Sequence, residues 1–293
     1  MLRLIQIFFF TSFLISQDMQ AKYVTAYTID AKIFGEFETI LEYVAAPSYA
    51  RLHGEFSAKR WIFRWLNGER GALSVPGTNN TLSYNVKRER YWLNPPGEHN
   101  FFSNLFADWK WGKENNTEDT EKDLKTENEE EDKNEFFTEF YNDIFEEGAV
   151  PHISRYPNNG IEEVNGFKSK KWTTSIATKK NKMVIEEWMV GELPLRDSLF
   201  LYIESAVKSD TSSTNLGMLR LSSYDFIRGL DSTSKIERLN GNIVMAKLSI
   251  DSDKSFLKSA SFEIRELYMG PFSASSFAIP KEFERIELVK GNR

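Results

Sequence analysis

The sequence has no cysteine, and histidine is scarce, with three in 293 residues. The absence of cysteine excludes disulfides, thiolate metal sites, cysteine nucleophiles and the lipid-attachment cysteine of a bacterial lipoprotein. None of His53, His99 and His152 lies two or four positions from another, so their spacing gives no support to a zinc site. We therefore expect no metal and no cofactor, and a fold held by its hydrophobic core.

Hydrophobic runs long enough to cross a membrane, about 20 residues, are also missing. Residues 4–15 form a mainly apolar run of 12 positions behind Arg3, which is typical of a signal peptide. The sequence predicts a signal peptide over 1–21, with cleavage after the small residue Ala21, and a periplasmic or secreted mature chain. An uncleaved N-terminal anchor is the alternative. No later stretch predicts a transmembrane span.

Basic clusters of the kind that bind nucleic acid are not apparent. The net charge of −6 is concentrated in residues 113–135, which hold 11 acidic and 4 basic residues and leave the rest of the chain at +1. No nucleic-acid partner is therefore expected. Residues 113–133 contain one apolar residue, Leu124, and cannot bury enough surface to offset the entropy of ordering. We predict that this acidic insert is disordered.

Turn signals recur along the chain roughly every 8 to 12 residues, the rhythm of a meandering antiparallel sheet. The runs between them are rich in β-branched and aromatic residues. The predicted strands cover 22–33, 37–45, 51–56, 59–66, 81–86, 90–93, 167–178, 182–191, 234–250, 257–269 and 283–288.

Helical spacing of apolar residues interrupts this pattern in four places. Residues 98–111 and 134–145 carry nearly the same aromatic stripe and flank the acidic insert. Residues 195–207 follow Pro194, and residues 214–230 end near Gly229. The fold class is therefore mainly β with short helices (α+β), and length alone allows one large domain or two smaller ones.

Signatures of catalysis are absent from the sequence. We find no Gly-x-Ser-x-Gly elbow, no His-Glu-x-x-His and no phosphate-binding loop. The carboxylate pairs at 162–163 and 186–187 lie on predicted strands, where neighbours point to opposite faces, so we interpret them as solvated. Residues 251–262 begin like a calcium loop, but Phe256 and Phe262 stand where glycine and glutamate are required. We expect the protein not to be an enzyme.

Aromatic clusters are the most informative candidates for a site. In the stretch KRWIFRWL, alternation predicts that three aromatic residues share one strand face. One tryptophan is predicted on each strand of the 167–191 hairpin. Core packing is one interpretation of these rings, and an apolar ligand groove closed by the two aromatic helices is the other. The candidate groove residues are Trp61, Phe63, Trp65, Phe102, Phe106, Trp109, Phe137, Tyr141, Trp172 and Trp188.

The order of several phrases resembles a known family. VNGFKSKKWTTSI, KMVIEEWMVGELP, RLNGNIVMAKLSI and FAIPKEFERIEL follow one another after IDAKIFGEFETILEYVAAPSYARL. This order is similar to exported bacterial proteins of the domain-of-unknown-function 4412 type (DUF4412), which are related in fold to the lipoprotein carrier LolA. The residues that carry the resemblance are Gly166, Trp172, Trp188, Pro194, Phe277 and Pro280. The acidic insert and the missing lipid-attachment cysteine depart from the pattern.

The resemblance implies a single LolA-like domain over 22–293: a bent antiparallel half-barrel whose concave apolar face is covered by helices. Relatives of that fold carry acyl chains, so we expect a non-enzymatic binding protein for a lipid or acyl chain, or one with an envelope protein partner. Fold analogy alone supports that role. The alternative is an interaction or scaffold protein with a filled core, and an uncharacterised hydrolase is third.

Overall fold

A computed structural model of the chain describes residues 19–78, 80–94, 142–146, 149–207, 222–230 and 236–287. Within these ranges thirteen strands form one large open sheet with few short helices, which confirms the mainly β class. No helix of the described part is both long and apolar enough to span a bilayer. The predicted aromatic helix 98–111, the acidic insert 113–133 and most of the second aromatic helix lie outside the described residues.

The first half of the sheet is a meander in chain order. Its strands are β1 (Met19–Ala31), β2 (Gly35–Ala46), β3 (Tyr49–Ala58), β4 (Gly68–Ser74), β5 (Thr81–Asn85) and β6 (Arg90–Leu93). Each strand pairs antiparallel with the next. The two-residue strand β13 (Glu284–Arg285) adds to β6 in parallel and ends this side of the sheet.

The second half of the sheet joins the first half through its last strand. Its strands are β7 (His152–Pro157), β8 (Glu162–Val164), β9 (Phe167–Ala177), β10 (Lys182–Val190), β11 (Asn242–Asp251) and β12 (Leu257–Pro271). β12 pairs antiparallel with β1, so the spatial order across the junction is β2-β1-β12-β11-β10-β9-β7, with β8 paired to β9. The first and last thirds of the chain therefore meet at the centre of the sheet.

Two α-helices and two 3-10 helices complete the described fold. One of the 3-10 helices, Ala274–Phe277, follows β12, and the name 3-10 helix is kept below for the other, Trp61–Leu66. α1 (Pro194–Val207) begins at a proline, as predicted, and α2 (Ser223–Leu230) is the C-terminal part of the predicted 214–230 helix. The 3-10 helix Trp61–Leu66 connects β3 to β4. The predicted strand over 59–66 is wrong, because β3 and β4 pair antiparallel up to Phe56 and Gly68 and the chain must reverse between them.

The sheet has two different faces. Tyr23, Tyr43 and Leu52 lie opposite one another across β1, β2 and β3, and α1 packs on this side, which we call the helix-covered face. The other side, the charged face, carries Lys22 with its Nζ 2.9 Å from Glu42. Register shifts interrupt the β1–β12 and β10–β11 pairings, and such bulges bend strands.

The predicted signal-peptide cleavage falls inside β1. Residues 1–18 lie outside the described part, and β1 begins at Met19. Ala21 is fully buried between Ala45 and Met269, so cleavage after it would remove the first three residues of the strand. Export stays a prediction.

Candidate functional site

Most of the helix-covered face is filled by side chains. Leu199, Ile203 and Ala206 of α1 are buried against Tyr43 and Leu52 of the sheet. A second cluster under α2 packs Phe226 and Ile227 against Ile185 and Leu248. Among the described residues, we take two open spaces on this face as the candidate sites.

The first space, the tyrosine cavity, is about 130 Å³ and lies between α1, the start of α2 and the sheet. Tyr23, Tyr27 and Tyr43 line it, with Phe200 and Phe262. The Tyr23 and Tyr43 rings are 5.6 Å apart, and Tyr27 lies 5.2 Å from Phe262. Burial raises the pKa of Tyr43 well above its usual range, and the nearby Tyr27 and Tyr23 act in the same direction. The Tyr43 hydroxyl therefore stays neutral.

A buried carboxylate forms one wall of the tyrosine cavity. Glu187 is 1% exposed and accepts hydrogen bonds from the backbone N–H of Ser223, at 3.0 Å, and from its hydroxyl. The Arg155 guanidinium donates to the same hydroxyl at 2.7 Å. Burial lowers the pKa of Arg155, while the charge of Glu187 opposes that change. The interpretation of Glu187 as solvated is wrong, because α2 covers this position of β10.

The second space, the Trp65 groove, is about 470 Å³ and lies beside the 3-10 helix. Leu41 and Phe56 of the sheet and Trp65 and Leu66 of the 3-10 helix supply its apolar lining. Its polar lining includes three cations and one acid: Arg70, Lys87, Arg88 and Glu55.

Lysine contacts tie the wall of this groove to the β5–β6 turn. Lys87 Nζ lies 3.5 Å from the carbonyl oxygen of Trp65 and 3.4 Å from that of Asn67. The Trp65 groove thus combines a concave apolar surface with a basic rim, which suits a ligand with an apolar body and an anionic group.

The prediction that Trp61, Phe63 and Trp65 share one strand face is wrong, because the segment is a 3-10 helix and the three side chains point in different directions. Phe63 packs 5.5 Å from Phe34 and 6.1 Å from Phe37, so it anchors the segment. Trp65 lines the groove, whereas Trp61 is 79% exposed and does not.

The two hairpin tryptophans lie on paired strands, as predicted, but on opposite faces. Trp172 is paired with Glu187, and Trp188 is paired with Lys171, one position along. Because neighbours on a strand alternate, the two rings cannot line one groove. Trp188 is buried, and its indole N–H donates to Glu162 at 2.6 Å with Lys171 Nζ 4.6 Å from the ring centre. It is a packing residue of the charged face.

Half of the predicted groove falls on residues that the structure does not describe: Phe102, Phe106, Trp109, Phe137 and Tyr141. Their assignment stays a prediction. Sequence reasoning missed the tyrosine cavity, although Tyr23 and Tyr27 stand four positions apart on a predicted strand and therefore share a face.

Across the described ranges, no group of three or more histidine or acidic side chains is arranged to hold a metal ion. What the two spaces offer is hydrophobic contact, hydroxyls and fixed charges. Compared with known proteins, the chain matches no family model and none of the curated proteins.

Proposed function

We propose that this chain is an exported, non-enzymatic binding protein that holds an acyl chain with an anionic group in the Trp65 groove. The observation that carries the proposal is the groove itself, about 470 Å³ with an apolar lining and a basic rim. Small-molecule sites commonly measure about 300–1,000 Å³, so the groove has the size of a ligand site.

The chemistry of the lining suggests how such a ligand would lie. Leu41, Phe56 and Leu66 offer apolar contact along the sheet, and the exposed ring of Trp65 can close over a chain placed there. Arg88 at the rim would meet a carboxylate or phosphate, since guanidinium groups bind both in a bidentate way. The ligand class is therefore a fatty acid or an anionic lipid.

The proposal includes a half-barrel of the LolA type. In support, the sheet is almost entirely antiparallel, register shifts interrupt two of its pairings, and α1 and α2 lie on one face. Export to the periplasm or the medium rests on the apolar run at 4–15.

A scaffold that binds an envelope protein is the second candidate, and one observation favours it. Under α1 the helix-covered face is filled, with Leu199 fully buried, and only about 130 Å³ remains in the tyrosine cavity. That volume is below the size of common ligand sites. If the Trp65 groove binds no ligand, the scaffold is the better interpretation of the whole molecule.

Titration with a fluorescent fatty acid tests the proposal. Wild type is expected to bind the probe saturably, and Trp65→Ala to weaken binding about tenfold or more, since a large apolar contact is lost. Arg88→Glu is expected to weaken a fatty acid more than the matching fatty alcohol, because only the acid carries the charge that the rim attracts.

Trp61→Ala is the matched control, because Trp61 belongs to the same 3-10 helix and does not line the groove. It is expected to bind the probe like the wild type. No saturable binding by wild type, or equal losses in Trp61→Ala and Trp65→Ala, would contradict the proposal and favour the scaffold.

A further inference from the structure

One end of the sheet brings several loops together around the 3-10 helix. The β1–β2 turn contacts it, since Arg60 donates a hydrogen bond to the carbonyl oxygen of Ile33 at 2.5 Å and Phe34 packs on Phe63. The β5–β6 turn contacts it through Lys87. The β11–β12 turn joins the group through the Lys32 N–H, which donates to the carbonyl oxygen of Phe256 at 2.7 Å.

Large apolar side chains point outward from this end. Trp61 is 79% exposed, Trp65 and Ile33 are each 70% exposed, and Ile62 and Phe256 are exposed as well. A folded chain gains nothing in stability from rings in water, and clustered exposed apolar groups mark interaction sites. We call these five residues with the 3-10 helix the tryptophan tip.

Cations outnumber acidic residues around the tip, where the neighbouring turns add Lys32, Lys87, Arg88 and Lys254 against Asp253 and Glu89. The stretch 59–66 holds Lys59, Arg60 and Arg64 and no acidic residue. Lys59 pairs with Glu36, while Lys87 and Arg88 add two cations from the next turn. An apolar tip with a basic surround is complementary to an anionic surface that has an apolar interior.

We propose that the tryptophan tip docks on an anionic phospholipid bilayer. Tryptophan is enriched at membrane interfaces because its ring is apolar and its N–H can stay hydrated. Trp61, Ile62 and Trp65 would enter the headgroup region, while Arg64 and the neighbouring cations contact lipid phosphates. Phe63 holds the segment to the sheet from inside, so the tip meets the bilayer as a rigid element.

This inference does not require the Trp65 groove to hold a ligand. Membrane docking depends on the outward side chains and their charges, whereas ligand binding depends on the lining between the 3-10 helix and the sheet. Trp65 and Leu66 belong to both surfaces, and Lys87 and Arg88 lie at the rim of the groove as well as beside the tip. The test therefore uses positions that do not line the groove.

The absence of cysteine makes a site-specific test direct, because an introduced cysteine is unique. Full-length Ile62→Cys is labelled with the environment-sensitive dye NBD. Ile161→Cys, an exposed position just before β8 in the other half of the sheet, is labelled as the control. Both are mixed with vesicles of phosphatidylcholine alone or of phosphatidylcholine with phosphatidylglycerol. At position 62 we expect a several-fold rise in emission and a blue shift on the anionic vesicles, and no change at position 161.

Charge reversal provides the second arm. Arg64→Glu in the Ile62→Cys background changes two charges and is expected to weaken binding to anionic vesicles about 30-fold. Lys168→Glu, an exposed site on β9, is the matched control and should have a much smaller effect. The inference is overturned if the dye at position 62 does not respond, if both dye positions respond alike, or if the response is independent of anionic lipid. If another segment anchored the protein to vesicles, both labelled positions would come near the bilayer. Such anchoring would not produce a response at position 62 without one at position 161.

Discussion

At the residue scale, the surroundings of His53 determine whether its imidazole is charged. It lies on the charged face of β3, where its Nδ1 is 3.0 Å from the Tyr84 hydroxyl and its ring stacks on the Tyr84 ring. Burial lowers the pKa of His53, and the Arg51 guanidinium lowers it further, while Glu69 and Glu42 act in the opposite direction. The folded protein therefore favours the neutral imidazole.

This arrangement predicts a pH dependence of stability. Because the folded-state pKa lies below the unfolded value of about 6.5, the unfolded chain takes up the proton more readily. The contribution of His53 is then complete above about pH 6.5 and is lost as the pH falls through the folded-state pKa. His53→Asn, which can keep the bond to Tyr84, should flatten the dependence of the unfolding free energy on pH below about 6.5.

Urea unfolding at a series of pH values measures this slope for the variant and the wild type. His152→Asn on the edge strand β7 is the control, because that side chain is exposed. If His53→Asn leaves the slope unchanged, the interpretation of the charged face is wrong.

At the element scale, the β4–β5 pair shows how a strand without strong β-propensity is held in the sheet. Gly71 is paired with Tyr84, and the Tyr84 ring lies directly over it. A β-carbon added at Gly71 would stand 2.1 Å from the ring. The glycine therefore makes room for the tyrosine that bonds to His53, while antiparallel pairing with β3 and β5 on both sides holds GERGALS in the sheet.

Gly71→Ala is expected to lower the free energy of unfolding by about 1–3 kcal/mol, the usual cost of overpacking, because Tyr84 must leave its position. Chemical denaturation measures the change. Gly68→Ala is the matched control on the same strand, since its added carbon would meet only the carbonyl oxygen of Leu66 at 3.9 Å. Equal effects of the two substitutions would show that the Tyr84 ring is not the cause of the loss, because the entropy change of the unfolded chain from glycine to alanine favours folding at both positions.

At the scale of the whole molecule, one sheet contains strands from both sides of the acidic insert, and β1 at its centre pairs with both β2 and β12. The described residues on the C-terminal side of the insert are anchored in the core. Ile144 and Phe145 are buried under α2, and Ser252 donates a hydrogen bond to the carbonyl oxygen of Ile144 at 2.8 Å.

Replacement of residues 113–133 by a short Gly/Ser linker is therefore expected to leave the melting temperature unchanged within a few degrees. The insert has one apolar residue, and the anchors at 144–145 are kept. Phe145→Ala is the contrasting variant and should cost about 3–5 kcal/mol as a core residue. A loss of roughly 3 kcal/mol or more for the linker variant would mean that the insert packs.

Local sequence patterns alone determined several turns and helix starts of this protein, and the absence of disulfides. Asn165 and Gly166 both have positive φ, as a tight hairpin turn between β8 and β9 requires, and that dipeptide is a strong hairpin signal. Pro194 opens α1, and the absence of cysteine leaves packing as the source of stability. Such features depend on a few neighbouring residues and can therefore be predicted without a fold.

Tertiary structure decided the site. The faces of Trp172 and Trp188 depend on a register in which Trp172 is opposite Glu187, and a slip of one residue would put both rings on the same face. Glu187 is buried because α2, far along the chain, brings Ser223 to it. Trp65 faces a groove because antiparallel pairing of β3 and β4 forces a reversal where alternation alone predicts a strand. Each outcome depends on contacts between distant segments, which no local pattern of residues encodes.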